Sequence, residues 1–218
     1  IKVTTAGRTD AGVHATGQVV SFVADRAFPI ERLTLALNAS LPDDLTVREA
    51  ANVAERFSAR FSALERTYVY LVWNHAVPSA LLARYAYHVY GALDLDRMAE
   101  AAHGLIGEHD FRSFCGMLPE SGPTIRTVRA ITMRRSGDLV VLLLRADGFL
   151  HRMVRNIVGT VLEIGNGRRD VASIGPTLAA RSRTEAGHTA PAHGLYLAGV
   201  TYPDYDSFKA PPPAYDAM

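Results

Sequence analysis

Cysteine is nearly absent from this chain of 218 residues, in which Cys115 is the only one. A single cysteine cannot form an internal disulfide, and neither a paired-cysteine spacing nor an HExxH spacing is present to indicate a zinc site. The sequence also has no apolar run approaching the roughly 20 residues that a membrane helix needs. These absences exclude a disulfide scaffold and a transmembrane helix, and they favour the cytoplasm as the location.

Lysine is also scarce. Of the 23 basic residues, 21 are arginines, and Lys2 and Lys209 are the only lysines. The formal net charge is only +1, but residues 111–183 hold twelve arginines against five acidic residues, a net charge of +7. A guanidinium group matches a phosphate bidentately, which an ammonium group does not. A compositional bias toward arginine would explain the ratio, but it does not explain the clustering.

Hydrophobic patterning predicts both strands and helices. Alternating or β-branched runs predict strands over residues 1–6, 16–23, 45–53, 66–73, 128–134, 139–145 and 195–202. Helical apolar spacing predicts helices over residues 30–37, 94–104 with Asp94 as the cap, and 150–164. Gly137 supplies the turn of a hairpin between the fifth and sixth strands. Strands and helices neither alternate strictly nor segregate, so we predict an α+β fold with a mixed, largely antiparallel sheet and flanking helices.

The chain is long enough for two half-domains. We predict an N-terminal half-domain over residues 1–55, which carries an aspartate-containing loop, and a C-terminal half-domain over residues 56–210. Residues 211–218 begin with three prolines and are predicted to form a loose tail. The chain starts at Ile1 inside a predicted strand, without an initiator methionine, so we expect that a front segment is missing from it.

Residues 7–15 (GRTDAGVHA) form the most informative stretch, a predicted strand-to-strand loop in which Asp10 lies between two glycines. A carboxylate in such a loop, with Arg8 and His14 nearby, is well placed for catalysis. The residues alone also allow Asp10 to make only a local Asx turn. A phosphate-binding Walker loop is excluded, because Val13 and His14 occupy the positions where lysine and serine or threonine are required.

Four blocks of this sequence belong together: residues 7–15 (GRTDAGVHA), 57–63 with 66–70 (FSARFSA and RTYVY), 148–159 (GFLHRMVRNIVG) and 190–197 (APAHGLYL). In this order they resemble the motifs of the TruA family of tRNA pseudouridine synthases. The blocks span nearly the whole chain, and the resemblance implies the pseudouridine synthase fold. The departure is at the front, where family members ordinarily have a strand, a Gly-Trp-Gln-Arg-Gln loop that touches RNA, and a helix.

The resemblance implies one site residue in each block. Asp10 corresponds to the aspartate that attacks the target nucleotide, Tyr68 to the tyrosine that stacks on the base and transfers protons, and Arg155 to the arginine that pairs with the aspartate. Leu197 aligns with a leucine that packs near the target base. Without the family match, Tyr68 would be interpreted as packing against Tyr70, and Arg155 as a phosphate contact.

The resemblance also implies the reaction and its partners. Uridine in tRNA is isomerised at positions 38–40 of the anticodon arm by a cytoplasmic homodimer, and the ribose moves from N1 to C5 of the same uracil. Such a reaction needs no metal, redox carrier or group donor, so we expect no cofactor. Whether Asp10 attacks C1′ of the ribose or C6 of the base, or acts as a base toward the ribose, is left open by the sequence.

Positively charged residues are predicted to contact the RNA. Arg8 and His14, beside the catalytic loop, are candidates to fill the space that an extruded base leaves, although both could be simple phosphate contacts or loop hydrogen-bond donors. The arginine-rich third is predicted to provide a phosphate track that does not read sequence, and some of its members only solvate strand and helix faces. The track comprises Arg126, Arg129, Arg134, Arg135, Arg145, Arg152, Arg168 and Arg169.

Two other function classes fit the sequence. A non-catalytic tRNA-binding or chaperone module is favoured by the missing front segment. A small-molecule isomerase or hydrolase would use Asp10 and His14. The module predicts biological activity that survives the loss of the Asp10 carboxylate, and the small-molecule enzyme predicts turnover of a free nucleoside without steep salt dependence.

Overall fold

A computed structural model describes residues 1–208 of the chain, and the predicted tail over residues 211–218 lies outside this range. In chain order the strands and α-helices are β1 (Val3–Thr5), β2 (His14–Ala15), β3 (Val20–Phe22), α1 (Ile30–Asn38), β4 (Glu65–Trp73), β5 (Tyr87–His88), α2 (Leu95–His103), β6 (Gly107–Asp110), β7 (Ile125–Ser136), β8 (Leu139–Ala146), α3 (Met153–Gly165), α4 (Ile174–Ala180), β9 (Leu195–Tyr202) and β10 (Tyr205–Asp206). Among these, β2, β5, β6, β10 and α4 were not predicted from the sequence.

The chain forms two compact units. The smaller unit comprises residues 1–7 and 19–62, and the larger comprises residues 8–18 together with the described residues from 63 to 208. The loop that carries Asp10 therefore belongs to the larger unit, although it lies near the start of the chain. The half-domain boundary at residues 55 and 56 stays a prediction about domain organisation.

The smaller unit contains a two-stranded antiparallel ribbon, β1 with β3, and helix α1. The prediction of a strand over residues 45–53 is wrong, because these residues have no regular secondary structure. Asn38, the last residue of α1, explains the difference. Its side-chain nitrogen donates to the Val47 carbonyl at 2.8 Å, and its oxygen accepts from the Val47 N–H at 2.7 Å. The amide side chain thus satisfies both backbone groups of Val47, which a strand ladder would otherwise use.

The larger unit is organised by one eight-stranded sheet. Its order is β10–β9–β4–β8–β7–β6, and β2 and β5 pair in parallel with β9 and β4 respectively. All other pairs in this sheet are antiparallel. The predicted α+β class with a mixed, largely antiparallel sheet is therefore confirmed. The predicted hairpin is β7 with β8, and Gly137 in its turn has a φ of 56°.

Strand β4 lies inside the sheet, between β8 and β9, which is why its sequence is a nearly continuous apolar run. Val69 and Leu71 pack on one face with Tyr196 and Ala198 of β9. Tyr68 and Tyr70 belong to the opposite face, because successive side chains of a strand alternate.

A β-bulge interrupts the pairing of β4 with β9. Thr67 pairs with Gly199 and Tyr68 pairs with Leu197, so that Ala198 is the extra residue on β9. Bulges bend a strand and redirect side chains, and they are over-represented beside active sites. This bulge lies at Tyr68 and Leu197, the two residues of the central strands that the sequence assigns to a site.

Helices α2 and α3 pack against each other, and α2 also packs against β7. Helix α2 begins as predicted, because the Asp94 side chain accepts a hydrogen bond from the Arg97 N–H. Helix α3 begins three residues later than predicted, because Arg152 has a left-handed backbone with a φ of 58° and residues 150–152 form a turn. Within residues 1–208, no helix is long and apolar enough to cross a lipid bilayer.

Residues 183–190, called here the 183–190 segment, lie along α3 and bond to three of its turns. The Thr189 hydroxyl donates to the Asn156 side chain at 2.6 Å, and the Gly187 N–H donates to the Thr160 hydroxyl at 2.9 Å. The His188 N–H donates to Glu163 at 2.9 Å. Residues 156, 160 and 163 share one face of a helix, so a single α3 face holds residues 187–189 of the segment.

Gly159 allows this close approach. A Cβ at this position would stand 1.8 Å from the His188 carbonyl oxygen, which is too close for any side chain. The sequence places glycine where the backbone of the segment lies directly against the helix.

We predict that Gly159→Ala displaces the 183–190 segment and lowers the free energy of unfolding by about 1–3 kcal/mol, the usual cost of overpacking a core. Chemical denaturation measures the change. Gly175→Ala in α4 is the matched control, because nothing lies within 4 Å of its added Cβ and alanine is the better helix former. Equal stability of the two variants would contradict the prediction.

Candidate active site

The loop that carries Asp10 is fixed to the central sheet at its C-terminal end. His14 and Ala15 of β2 pair with Tyr196 and Leu197 of β9, and the N–H groups of the next two residues donate to the Leu197 carbonyl at 3.0 and 3.1 Å. At the tip, the Val13 N–H donates to the Asp10 carbonyl. Gly12 has a φ of +81°, a left-handed conformation that glycine adopts without strain. These bonds hold the Asp10 side chain in a defined place.

Asp10 and Arg155 form the shortest polar contact of the site. Nη1 of Arg155 donates to Oδ2 of Asp10 at 2.6 Å, and Nε of the same guanidinium donates to the Ala190 carbonyl at 2.7 Å. The Ala190 N–H in turn donates to the Arg155 carbonyl at 3.1 Å. The Asp10 side chain is 26% exposed and the Arg155 side chain 14%, so this charge-assisted bond is largely shielded from solvent. The pairing that the resemblance implies is present in the structure.

Two further groups that carry or can acquire positive charge lie near the Asp10 carboxylate. Nε of Arg152 is 3.9 Å from Oδ2, and Nε2 of His151 is 3.6 Å from Oδ1. Both residues precede α3, and Arg155 belongs to its first turn. Three nitrogen-bearing side chains from the start of α3 thus surround one carboxylate, an arrangement that favours an anion.

Tyr68 is buried, with 8% of its surface exposed, and the ring of Phe149 packs edge-on against it at 5.1 Å between centroids. Burial raises the pKa of Tyr68 to about 12; the positive charge of Arg66 opposes this rise, and the negative charge of Asp10 adds to it. The phenol is therefore neutral at physiological pH. In this state its hydroxyl can donate a hydrogen bond and its ring offers an apolar face.

Tyr70 supports the site from the same strand. Its hydroxyl donates to the Pro191 carbonyl at 2.8 Å, and burial raises its pKa far above the usual range of a tyrosine. Pro191 follows Ala190, the residue that Arg155 binds on both of its backbone groups. Tyr70 is thus a structural residue that fixes the chain behind Arg155.

Leu197 is fully buried in β9, directly opposite Tyr68. Its carbonyl receives the N–H groups of Thr16 and Gly17, which anchors the Asp10 loop. A contact between the Leu197 side chain and a target base stays a prediction.

Arg8 and His14 flank Asp10 in sequence, but His14 is engaged elsewhere. Its Nε2 lies 3.0 Å from the Arg84 carbonyl, and its ring stacks on Tyr196 at 4.8 Å between centroids. Arg8 is exposed at the start of the loop. The structure therefore places His14 among groups that anchor β2, while the role of both residues toward a substrate stays a prediction.

Five of the eight arginines in the predicted phosphate track illustrate how different their settings are. Arg152 lies beside Asp10, and Arg168 is exposed just after α3. Arg129 forms an ion pair with Glu65 at 3.6 Å, and Arg169 forms one with Glu163 at 3.3 Å. Arg126 donates to the Pro123 carbonyl at 2.9 Å. Their binding to RNA stays a prediction, and part of the positive charge counted in the sequence is balanced within the protein.

His151 and Phe149 are the residues of this site that sequence reasoning passed over. Both lie in the third block (GFLHRMVRNIVG), and His151 precedes Arg155 by four positions, the spacing that would have suggested a shared direction.

Within residues 1–208, no group of three or more His, Cys, Asp or Glu side chains is arranged to hold a metal ion. The site thus combines the Asp10 carboxylate, held by the Arg155 guanidinium, with the neutral phenol of Tyr68 on β4.

Comparison with known proteins gives a consistent result. A family model described as tRNA pseudouridine synthase matches residues 1–62 and 101–203. A "tRNA pseudouridine synthase A" of Halalkalibacterium halodurans is 47% identical over 195 residues, which cover 89% of this chain and 74% of the relative. Proteins of the same name from Pseudoalteromonas atlantica and Salmonella arizonae are 46% and 47% identical, covering 94% and 97% of this chain and 78% of each relative. The chain therefore belongs to the tRNA pseudouridine synthase family.

Proposed function

We propose that this chain isomerises uridine to pseudouridine at positions 38–40 of the tRNA anticodon arm, with Asp10 as the catalytic residue. The observation that carries the proposal is the 2.6 Å contact between Asp10 and Arg155, which lie 145 positions apart in two blocks of the family resemblance. The relatives are named as enzymes that act on tRNA, and the cytoplasm is the compartment we propose for such a substrate.

The reaction needs a nucleophile or base at the target nucleotide. The bond between N1 and C1′ breaks, a bond between C5 and C1′ forms, and the proton on C5 is lost while N1 gains one. Asp10 acts in this scheme as a carboxylate. Arg155 occupies Oδ2, so Oδ1 is the oxygen that the ion pair leaves available to the substrate.

Arg155 acts through charge and position. A carboxylate covered by an uncharged base would lose part of its solvation, and an adjacent guanidinium offsets that cost. Because the same guanidinium also bonds to Ala190, it cannot rotate freely when the substrate enters. The carboxylate is thereby preorganised instead of being reoriented during the reaction.

Tyr68 provides a face for the uracil and a hydroxyl that donates a hydrogen bond. Its pKa of about 12 means that it enters the reaction protonated. The neutral Tyr68 hydroxyl could accept a proton only if it gave up its own proton in the same step. Stacking and hydrogen-bond donation are therefore the first roles that we assign to it, and proton transfer is the second.

A uridine in a stem must leave the stack to reach Asp10, which costs a few kcal/mol. Contacts to the phosphates supply binding free energy that offsets this cost. Arg152 and Arg168 are among the exposed members of the proposed track, and Arg8 is the exposed candidate to occupy the vacated space. Recognition by such contacts depends on the shape of the RNA, because phosphates carry no sequence information.

We predict that Asp10→Asn lowers tritium release from C5-labelled uridine in tRNA by at least roughly 10³-fold while the Kd for tRNA changes less than about twofold. The substitution preserves size and removes only the charge and the nucleophile. Mapping the product in the wild-type reaction tests positions 38–40.

Asp138→Asn, in the exposed turn between β7 and β8, is the matched control and keeps wild-type activity. If Asp10→Asn released tritium at the wild-type rate, Asp10 would not be the catalytic residue. If the wild-type chain bound tRNA but released no tritium, the non-catalytic module would be the better description.

We predict that Arg168→Gln raises the Kd for tRNA by roughly threefold to tenfold and makes the slope of log Kd against log salt shallower by about 0.7–0.9, the effect of one lost phosphate contact. The single-turnover rate at saturating tRNA stays unchanged. Arg97→Gln, an exposed arginine of α2 outside the arginine-rich third, serves as control and leaves both quantities unaltered. If the slope of log Kd against log salt were unchanged in Arg168→Gln, Arg168 would not be a phosphate contact.

We also propose that the chain acts as a homodimer, in which one tRNA reaches across both subunits. The support is the family resemblance, and a second copy would extend the phosphate track beyond what one chain offers. Light scattering at assay concentration is expected to give twice the mass of one chain. A single-chain mass for a fully active sample would refute the dimer.

A further inference from the structure

His151 faces the oxygen of Asp10 that Arg155 leaves free. Its Nε2 is 3.6 Å from Oδ1, while Oδ2 bonds to Arg155 at 2.6 Å. The imidazole is 34% exposed, so it lines the open side of the site. Neither the reaction scheme above nor the family's site residues give this side chain a task.

The hydrogen-bonding pattern assigns a tautomer to the neutral imidazole. An ionised carboxylate only accepts hydrogen bonds, so the ring nitrogen that faces Asp10 must be the one that carries the proton. The other nitrogen, Nδ1, is one of two buried side-chain atoms within residues 1–208 that have no hydrogen-bond partner. A proton on Nδ1 would therefore bury an unpaired donor and aim a lone pair at a carboxylate. The Nε2–H form avoids both costs.

The backbone holds the ring in this orientation. The His151 carbonyl accepts from the Gly116 N–H at 2.8 Å, and the next residue, Arg152, has the left-handed φ of 58°. A Cβ on Gly116 would stand 3.1 Å from Nδ1, so the Nδ1 edge of the ring packs directly on this glycine. A left-handed non-glycine residue is strained, and such residues cluster at active sites.

We propose that His151 is a positioning residue for Asp10, which directs Oδ1 at the target nucleotide by donating from Nε2–H while Arg155 holds Oδ2. The proposal rests on the pseudouridine synthase function proposed above. A separation of 3.6 Å is longer than a hydrogen bond, and catalytic hydrogen bonds are often long in a free enzyme and shorten when the substrate is bound. With a donor on each oxygen, the carboxylate has one orientation, and the reacting oxygen is Oδ1.

Three substitutions separate this role from a general structural one. His151→Gln keeps an N–H near the Nε2 position, His151→Asn places its amide near the Nδ1 position, and His151→Ala removes the donor. We expect His151→Ala and His151→Asn to lower the single-turnover rate at saturating tRNA by about 10- to 100-fold, the range for a misplaced reacting group. His151→Gln stays within about fivefold of wild type, and the Kd for tRNA changes less than twofold in all three.

His103→Ala, an exposed histidine in the last turn of α2, is the control for removing an imidazole and keeps the wild-type rate. A wild-type rate in His151→Ala would overturn the proposal. So would a His151→Gln variant that is as slow as His151→Ala, or losses that appear only in the Kd, because the side chain would then serve the fold or the RNA contact.

A second measurement on the tRNA-free protein keeps the inference separate from the proposed function. The ring ¹⁵N spectrum of wild type is expected to show His151 as the Nε2–H tautomer, and Asp10→Asn is expected to shift its resonances. A spectrum that places the proton on Nδ1 would refute the pairing of His151 with Asp10. So would His151 resonances that stay the same in Asp10→Asn. If wild type released no tritium, the proposed function would fail, and this spectrum alone would decide whether His151 orients Asp10.

Discussion

The guanidinium of Arg155 connects the three parts of the polypeptide that make the site. It belongs to the first turn of α3, it bonds to Asp10 on the loop before β2, and it bonds to Ala190 at the end of the 183–190 segment. Arg155 is mostly buried, so the loss of either partner would leave a shielded charge unpaired, which is costly. The position of α3 therefore determines where the Asp10 carboxylate can lie.

That position is itself fixed by polar groups that are buried and paired. Asn156, one residue after Arg155, is fully buried and donates to the Phe114 carbonyl at 2.7 Å, while its oxygen accepts from Thr189 and Arg183. Glu163 extends the same network; burial would raise its pKa, but hydrogen bonds from His188 and Arg169 lower it below the usual value. Fully satisfied networks of this kind favour one arrangement over all others. The site is therefore supported by a rigid layer behind it, as preorganised catalysis requires.

Local signals account for the elements that the sequence predicted well. The apolar run of β4, the Gly137 turn between β7 and β8, and the Asp94 cap of α2 all depend on neighbours within a few residues. The failures occur where distant groups decide the backbone. The Asn38 side chain binds the backbone of Val47 in the predicted strand over residues 45–53. The turn before α3 depends on a hydrogen bond from the Gly116 N–H to the His151 carbonyl. Only the family resemblance predicted that residues 10 and 155 would meet, because no periodicity relates positions so far apart.

His151 and Arg152 show why the arginine-rich third cannot be understood from its net charge. Arg129 and Arg169 are balanced by glutamates, whereas Arg152, about half exposed, lies 3.9 Å from Oδ2 of Asp10. His151 and Arg152 stand just before the first turn of α3, and each places a nitrogen within 4 Å of the Asp10 carboxylate that Arg155 binds from inside the helix. The helix start, which sequence reasoning placed wrongly, is part of the site.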